Sequence, residues 1–143
     1  MFKLATWNVN SLGVRLPQVL EWLSVDPTGS GESGVDLLAI QETKTTDDKF
    51  PVKELESANY HVAFHGQKTY NGVALVSKFP LENVVKNIPG FEDEMARVIS
   101  ATVKGVRVIG AYFPNGQDPQ SDKFQYKMRW LEALHDWIKS ELV

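Results

Sequence analysis

Apolar and polar positions alternate through residues 2–9, with Phe2, Leu4 and Thr6 on one side and Ala5, Trp7 and Val9 on the other. Apolar groups on both sides predict a strand covered on both faces. The period then changes. After Asn10-Ser11-Leu12-Gly13, the positions Leu16, Val19, Leu20 and Leu23 recur at helical spacing. This predicts a helix ending near Ser24, with Pro17 in a first turn that tolerates its missing N–H. Residues 26–34 are polar and glycine-rich and read as a loop without core positions. Residues 35–41 are almost continuously apolar, as in a buried central strand. Strand, helix, strand in this order predicts a parallel βαβ unit.

Further along, Pro51 opens a short helix running through Leu55 and Ala58. Residues 60–64 and 72–77 read as two strands, close enough across 66–71 to form a hairpin. Residues 78–94 contain Pro80, Pro89 and Gly90, sustain no period and are expected to be irregular. Residues 97–103 and 106–113 flank Lys104-Gly105, a two-residue hairpin connection with glycine where positive φ is needed. Beyond 114–122, Tyr126, Trp130, Leu131, Leu134, Trp137 and Ile138 trace one helical face that runs to the end. No repeat or low-complexity segment interrupts this order.

With 143 residues, 43% of them hydrophobic and 10% aromatic, the chain suits one domain with one packed core. It has no cysteine, so disulfides and thiolate metal sites are excluded and a reducing cytoplasm is the expected compartment. The N-terminus passes straight into a strand pattern, with no leader and no apolar run near 18 residues, so a soluble protein without membrane attachment is expected. A net charge of −3 argues against a surface that coats polyanions, yet leaves room for a local basic patch or a bound cation.

Glu42 is the strongest chemical candidate. A carboxylate at the end of an apolar strand is costly to desolvate unless a cation or basic partner meets it, and strand ends are where α/β sheets collect ligands. The plainer alternative is a capping or surface glutamate. Asn8 and Asn10 supply amides that can hold a phosphate oxygen, a water or a metal's outer shell; turn formation before Ser11 is their plainer role. Tyr70-Asn71-Gly72 and Tyr112-Phe113-Pro114-Asn115-Gly116 set aromatics beside turns at strand ends, where a phenol can meet a phosphate or simply pack. Lys44, Lys68, Arg97, Lys123 and Lys127 lie in or near loops and suit a nucleic-acid backbone. His61, His65 and His135 lack the spacing of metal ligands.

Four blocks carry a family resemblance: Thr6-Trp7-Asn8-Val9-Asn10-Ser11-Leu12 with Arg15; Leu38-Ala39-Ile40-Gln41-Glu42-Thr43-Lys44; Phe64-His65-Gly66-Gln67-Lys68-Thr69-Tyr70-Asn71-Gly72-Val73-Ala74; and Gly110-Ala111-Tyr112-Phe113-Pro114-Asn115-Gly116. In this order they resemble the first half of the bacterial exodeoxyribonuclease III family, within the wider endonuclease/exonuclease/phosphatase superfamily. The resemblance spans all 143 residues. It implies part of a four-layered α/β sandwich, two face-to-face sheets with outer helices, of which residues 1–143 would be the N-terminal part. It also implies Mg²⁺- or Mn²⁺-dependent hydrolysis of DNA phosphodiesters, as a 3′→5′ exonuclease and abasic-site endonuclease in DNA repair.

Carried onto this chain, the resemblance makes Glu42 and Asn8 metal ligands. Tyr112 and Asn8 become catalytic groups. Lys44, Lys68, Tyr70, Asn71, Asn115, Lys123 and Lys127 become contacts to double-stranded DNA bearing abasic sites or 3′ ends. The family's later aspartate, asparagine and Asp-His pair have no counterparts here, and the loop at 26–34 looks longer than the family's. The chain alone is therefore expected to be inactive or nearly so. Supplying about one of the two sheets, it is expected to leave a sheet face bare and to dimerise through it. Another superfamily phosphodiesterase or phosphatase, or a noncatalytic module that binds DNA or a partner, are the alternatives.

Overall fold

The structure, a computed structural model, describes residues 1–25 and 34–142; the predicted glycine-rich loop falls, but for Gly34, outside the described residues. Strand β1 (Leu4–Asn8) leads into helix α1 (Leu12–Ser24) and strand β2 (Leu37–Gln41). β1 and β2 pair in parallel, with Leu4 opposite Leu37 and Asn8 opposite Gln41, as the βαβ order predicts. The first donors of α1 are satisfied by the chain beyond β2: Ser11 N–H donates to the Glu42 carbonyl at 2.8 Å and Leu12 N–H to the Thr43 carbonyl at 2.9 Å. These bonds, and no side-chain cap, set where the helix begins. Pro17 is consequently in the second turn and not the first, and the helix runs through it with one N–H fewer.

A single 3₁₀ turn at Asp47–Lys49 and helix α2 (Val52–Ser57) precede strands β3 (His61–His65) and β4 (Val73–Ser77), which form the expected antiparallel hairpin. β4 also pairs with β2, giving a mixed sheet in the order β1-β2-β4-β3. Strand β5 (Glu82–Lys86) corrects the expectation of an irregular segment. It is an exposed edge strand, bonded along one side only and with a register shift between Glu82 and Val85, so it has no alternation to read. β6 (Val98–Val103) and β7 (Val106–Ala111) complete a second sheet in the order β5-β6-β7. Lys104 and Gly105 both have positive φ, 50° and 79°, the backbone a two-residue hairpin turn requires. Helix α3 (Asp122–Glu141) starts at Ser121, whose hydroxyl accepts the Phe124 N–H at 3.2 Å.

Strand alternation sorts the side chains into three cores. Leu38, Ile40, Ala74 and Val76 meet Leu12, Val19 and Leu23 of α1 and Leu55 of α2. Leu37, Ala39, Val73 and Leu75 face the other way, against Ile99, Ala101, Val103 and Val108 of the second sheet. Gly110 permits this approach, since a Cβ there would lie 3.2 Å from Leu75 Cδ2. Outside the second sheet, Val98 meets Trp130, Leu134 and Trp137 of α3. The layers are helices, sheet, sheet, helix.

The expectation of one bare sheet face is thereby corrected. Strands of both sheets lie within this chain, and the inter-sheet core closes between them. Among the described residues the inward side of β1, with Leu4, Thr6 and Asn8 exposed, is left without a covering strand. The surface left for the expected homodimer shrinks from a whole sheet face to that exposed side of β1.

Candidate functional site

Glu42 follows β2 directly, and the backbone turns sharply there: Glu42 has φ 55° and Lys44 φ 51°, left-handed values that non-glycine residues seldom adopt. Main-chain bonds hold the turn. Thr43, buried between them, donates its N–H to the Gly72 carbonyl at 3.2 Å, and the Lys44 N–H donates to the Asn71 carbonyl at 2.9 Å. Gly72 itself, with φ 94°, lies so close that a Cβ there would collide with Thr43 Oγ1. Glu42 is therefore fixed from three sides by β2, the start of α1 and the turn before β4.

Three polar side chains converge on its carboxylate. The Tyr112 hydroxyl donates to Glu42 Oε1 at 2.5 Å, although the two residues are 70 positions apart. The Asn8 amide lies near enough to the same carboxylate to favour its charged form, while its Oδ1 accepts the Asn10 N–H at 3.1 Å. Lys44 Nζ stands 3.6 Å from Glu42 Oε2 and donates to Asn10 Oδ1 at 2.5 Å. The hydrogen bond from Tyr112, reinforced by Asn8 and Lys44, holds the Glu42 carboxyl below its ordinary value of 4.5 against the opposing effect of burial. Burial, and then the adjacent Glu42, push the Tyr112 phenol above its ordinary value of 10.0. At neutral pH the pair is a carboxylate facing a protonated phenol.

Beside this pair opens a cleft of about 620 Å³, lined by Tyr70, Asn71, Arg97, Tyr112, Asn115, Lys123 and Tyr126 among others. Phenols, amides and cations share its walls, a set that can hydrogen-bond a phosphate and pack against a sugar or base. A second notch of about 340 Å³ has Lys44, Lys49, Lys68, Thr46 and Thr69 in its wall. Of the residues singled out from sequence, Glu42, Asn8, Tyr112 and Lys44 meet at one point; Tyr70, Asn71, Asn115 and Lys123 line the cleft. Lys68 belongs to the notch, and Lys127 lies against Gly116, outside the cleft wall.

The oxygen donors of Glu42 and Asn8 suit a hard cation that keeps most of its waters, and nitrogen- or sulfur-seeking metals find nothing here. Among the described residues no three His, Cys, Asp or Glu side chains converge as a metal cluster. Gln67, Met95, Tyr126 and Arg129 also line the cleft and were not picked out as site residues from sequence. One signal was there to find. Asp122, Tyr126 and Arg129 fall at i, i+4 and i+7, a polar stripe on the first two turns of α3 that the apolar stripe beside it obscures.

A sequence model of the endonuclease/exonuclease/phosphatase family matches residues 5–141. Exodeoxyribonuclease III of Haemophilus influenzae is 31% identical over 97% of this chain and 52% of its own length. Among solved structures, a 3′–5′ exonuclease from Neisseria meningitidis is 45% identical with a TM-score of 0.91, covering 99% of this chain and 53% of that one. A Neisseria 3′ phosphatase bound to a product DNA hairpin superimposes equally well. An AP endonuclease from Archaeoglobus fulgidus is 38% identical with a TM-score of 0.88, over 98% of this chain and 52% of the other. The chain thus spans about half the length of these relatives. None of the described helices is long and apolar enough to cross a membrane.

Proposed function

The chain belongs to the endonuclease/exonuclease/phosphatase family, and from that premise we propose that it acts in DNA repair on phosphodiester bonds, as an exodeoxyribonuclease III and AP endonuclease type of hydrolase. The observation that carries this reading is the contact of Tyr112 with Glu42 at 2.5 Å beside a cleft of phenols, amides and cations. In it, Glu42 and Asn8 hold Mg²⁺ or Mn²⁺, which when bound supplies charge neutralisation at a phosphate. Tyr112, protonated at working pH, donates a hydrogen bond to a phosphate oxygen of the bond to be cleaved. Asn8 orients the carboxylate. Tyr70, Asn71, Asn115 and Lys123 guide one strand through the cleft, Lys44 and Lys68 take the backbone on the notch side, and Lys127 adds a cation near the rim. The partner is duplex DNA with abasic sites or 3′ ends.

The same inventory sets the rate. Among the described residues no imidazole lines the cleft, and the acid in its wall, Asp122, is on α3 and not beside Glu42. Without a base poised on the attacking water, these 143 residues assayed alone turn over near background while still binding metal and DNA. Manganese titration followed by electron paramagnetic resonance tests the metal half. Glu42→Gln is expected to weaken Mn²⁺ binding by roughly tenfold or more. Anisotropy with an abasic duplex tests the other half, where Mg²⁺ should tighten binding and Lys123→Ala should loosen it. Unchanged Mn²⁺ affinity in the Glu42 variant would overturn the assignment of the metal.

A further inference from the structure

Arg97, the residue before β6, lies against two phenol rings. Its guanidinium carbon is 5.1 Å from the Tyr112 ring centre and 5.8 Å from that of Tyr126. Nη1 donates to the Tyr112 carbonyl at 3.3 Å, and the Tyr112 N–H donates back to the Arg97 carbonyl at 2.8 Å. The Arg97 Nε–H is buried without an acceptor, and none of the ion pairs among the described residues involves this guanidinium. Tyr126 is anchored in turn, its hydroxyl donating to Asp93 Oδ2 at 2.5 Å. A cation normally kept solvated or salt-bridged is here held chiefly by aromatic faces, an arrangement favoured by partial burial.

We propose that Arg97 is the positioning residue of the Tyr112 phenol. Asp93 and α3 fix Tyr126, Tyr126 and Arg97 fix the plane of the Tyr112 ring, and the ring delivers its hydroxyl to Glu42. The need for such a clamp follows from the fold. Tyr112 lies just past the end of β7, and its ring is only partly covered, so strand pairing alone leaves the ring torsion free. A planar guanidinium over the ring face restricts that torsion; an ammonium, which is a point charge, does not. The use of the phenol rests on the phosphodiesterase function proposed above, whereas the clamp itself does not.

Fluorine NMR of the chain carrying 3-fluorotyrosine at its four tyrosines tests this, with signals assigned by single Tyr→Phe changes. Arg97→Gln is expected to shift the Tyr112 and Tyr126 signals and leave the core residue Tyr60 in place. Arg97→Lys should fail to restore the Tyr112 signal, and Tyr126→Phe should move it less than Arg97→Gln does. On a metal-loaded form with measurable cleavage, Arg97→Gln should cut kcat by roughly ten- to a hundredfold with KM little changed. A Tyr112 signal indifferent to Arg97→Gln, a Tyr60 signal that moves with it, or full recovery in Arg97→Lys overturns the proposal. The spectra need no turnover, so a chain that never cleaves DNA sinks the nuclease function and leaves the clamp to be judged on its own.

Discussion

The inter-sheet core and the rim around Glu42 lie a few residues apart on the same strands, yet they are held by opposite means. In the core, Leu37, Leu75, Ile99, Ala101 and Val103 are fully buried, and Gly110 lets the sheets close on one another. Removal of apolar surface from water drives that association, and any set of side chains with the right volume would satisfy it. The rim is polar, half-open and bent. Asn10, Ser11, Glu42, Lys44, Thr69 and Asn71 all have positive φ in segments that touch one another. Each such residue costs about 1–3 kcal/mol and persists only where its surroundings over-determine it. The core stabilises the fold, and the rim uses part of that stability to hold a carboxylate and a phenol in contact.

Four changes test that division, in falling order of effect on stability. Leu75→Ala, in the core, should cost about 2–5 kcal/mol in urea unfolding while leaving Mn²⁺ affinity intact; a loss below about 1 kcal/mol would show that the inter-sheet contact is not where stability resides. Gly72→Ala strikes the rim's scaffold through both φ and the collision with Thr43 Oγ1. About 1–3 kcal/mol should be lost, and Thr43→Ala in the same chain should recover part of it, a coupling readable in a double-mutant cycle. Tyr112→Phe removes one hydrogen bond at the rim and should change stability by no more than about 1 kcal/mol.

The smallest effect is one of pH. Glu42 has a lowered value in the folded chain, chiefly through Tyr112, so the stability it contributes is present above the ordinary carboxylate value and lost as pH falls through the lowered one. Tyr112, whose value is raised, gives stability present below pH 10.0 and lost as pH rises through its shifted value. The difference in unfolding free energy between the native chain and Tyr112→Phe should therefore be flat across neutral pH and shrink at both ends. A difference that grows on acidification would contradict the carboxylate–phenol assignment.

Much of this was legible in the order of residues. The change of period after Val9 marked β1 and α1, and the apolar run before Gln41 marked a central strand with a carboxylate at its end. Lys104-Gly105 announced its hairpin, since a two-residue turn has few backbone solutions. β5 escaped because an edge strand with a bulge answers to one neighbour and carries no alternation. The start of α1 was misread at Pro17 because the donors ahead of it are satisfied by carbonyls of Glu42 and Thr43, more than thirty residues downstream. Tyr126 read as part of an apolar helix face, yet its ring lines the cleft against Arg97.

By itself, the sequence determined the periodic elements, the ends of strands where polar residues collect, and the four blocks whose family likeness pointed to phosphodiester chemistry. Periodicity and turn chemistry are local, so neighbouring residues suffice to specify them. Only the tertiary structure decided that strands of two sheets pack face to face within 143 residues, that Tyr112 reaches Glu42 across 70 positions, and that Arg97 lies between the site and α3. Those contacts depend on how separate strands are brought together by burial, and no spacing along the chain encodes the distance between two side chains that only packing makes neighbours.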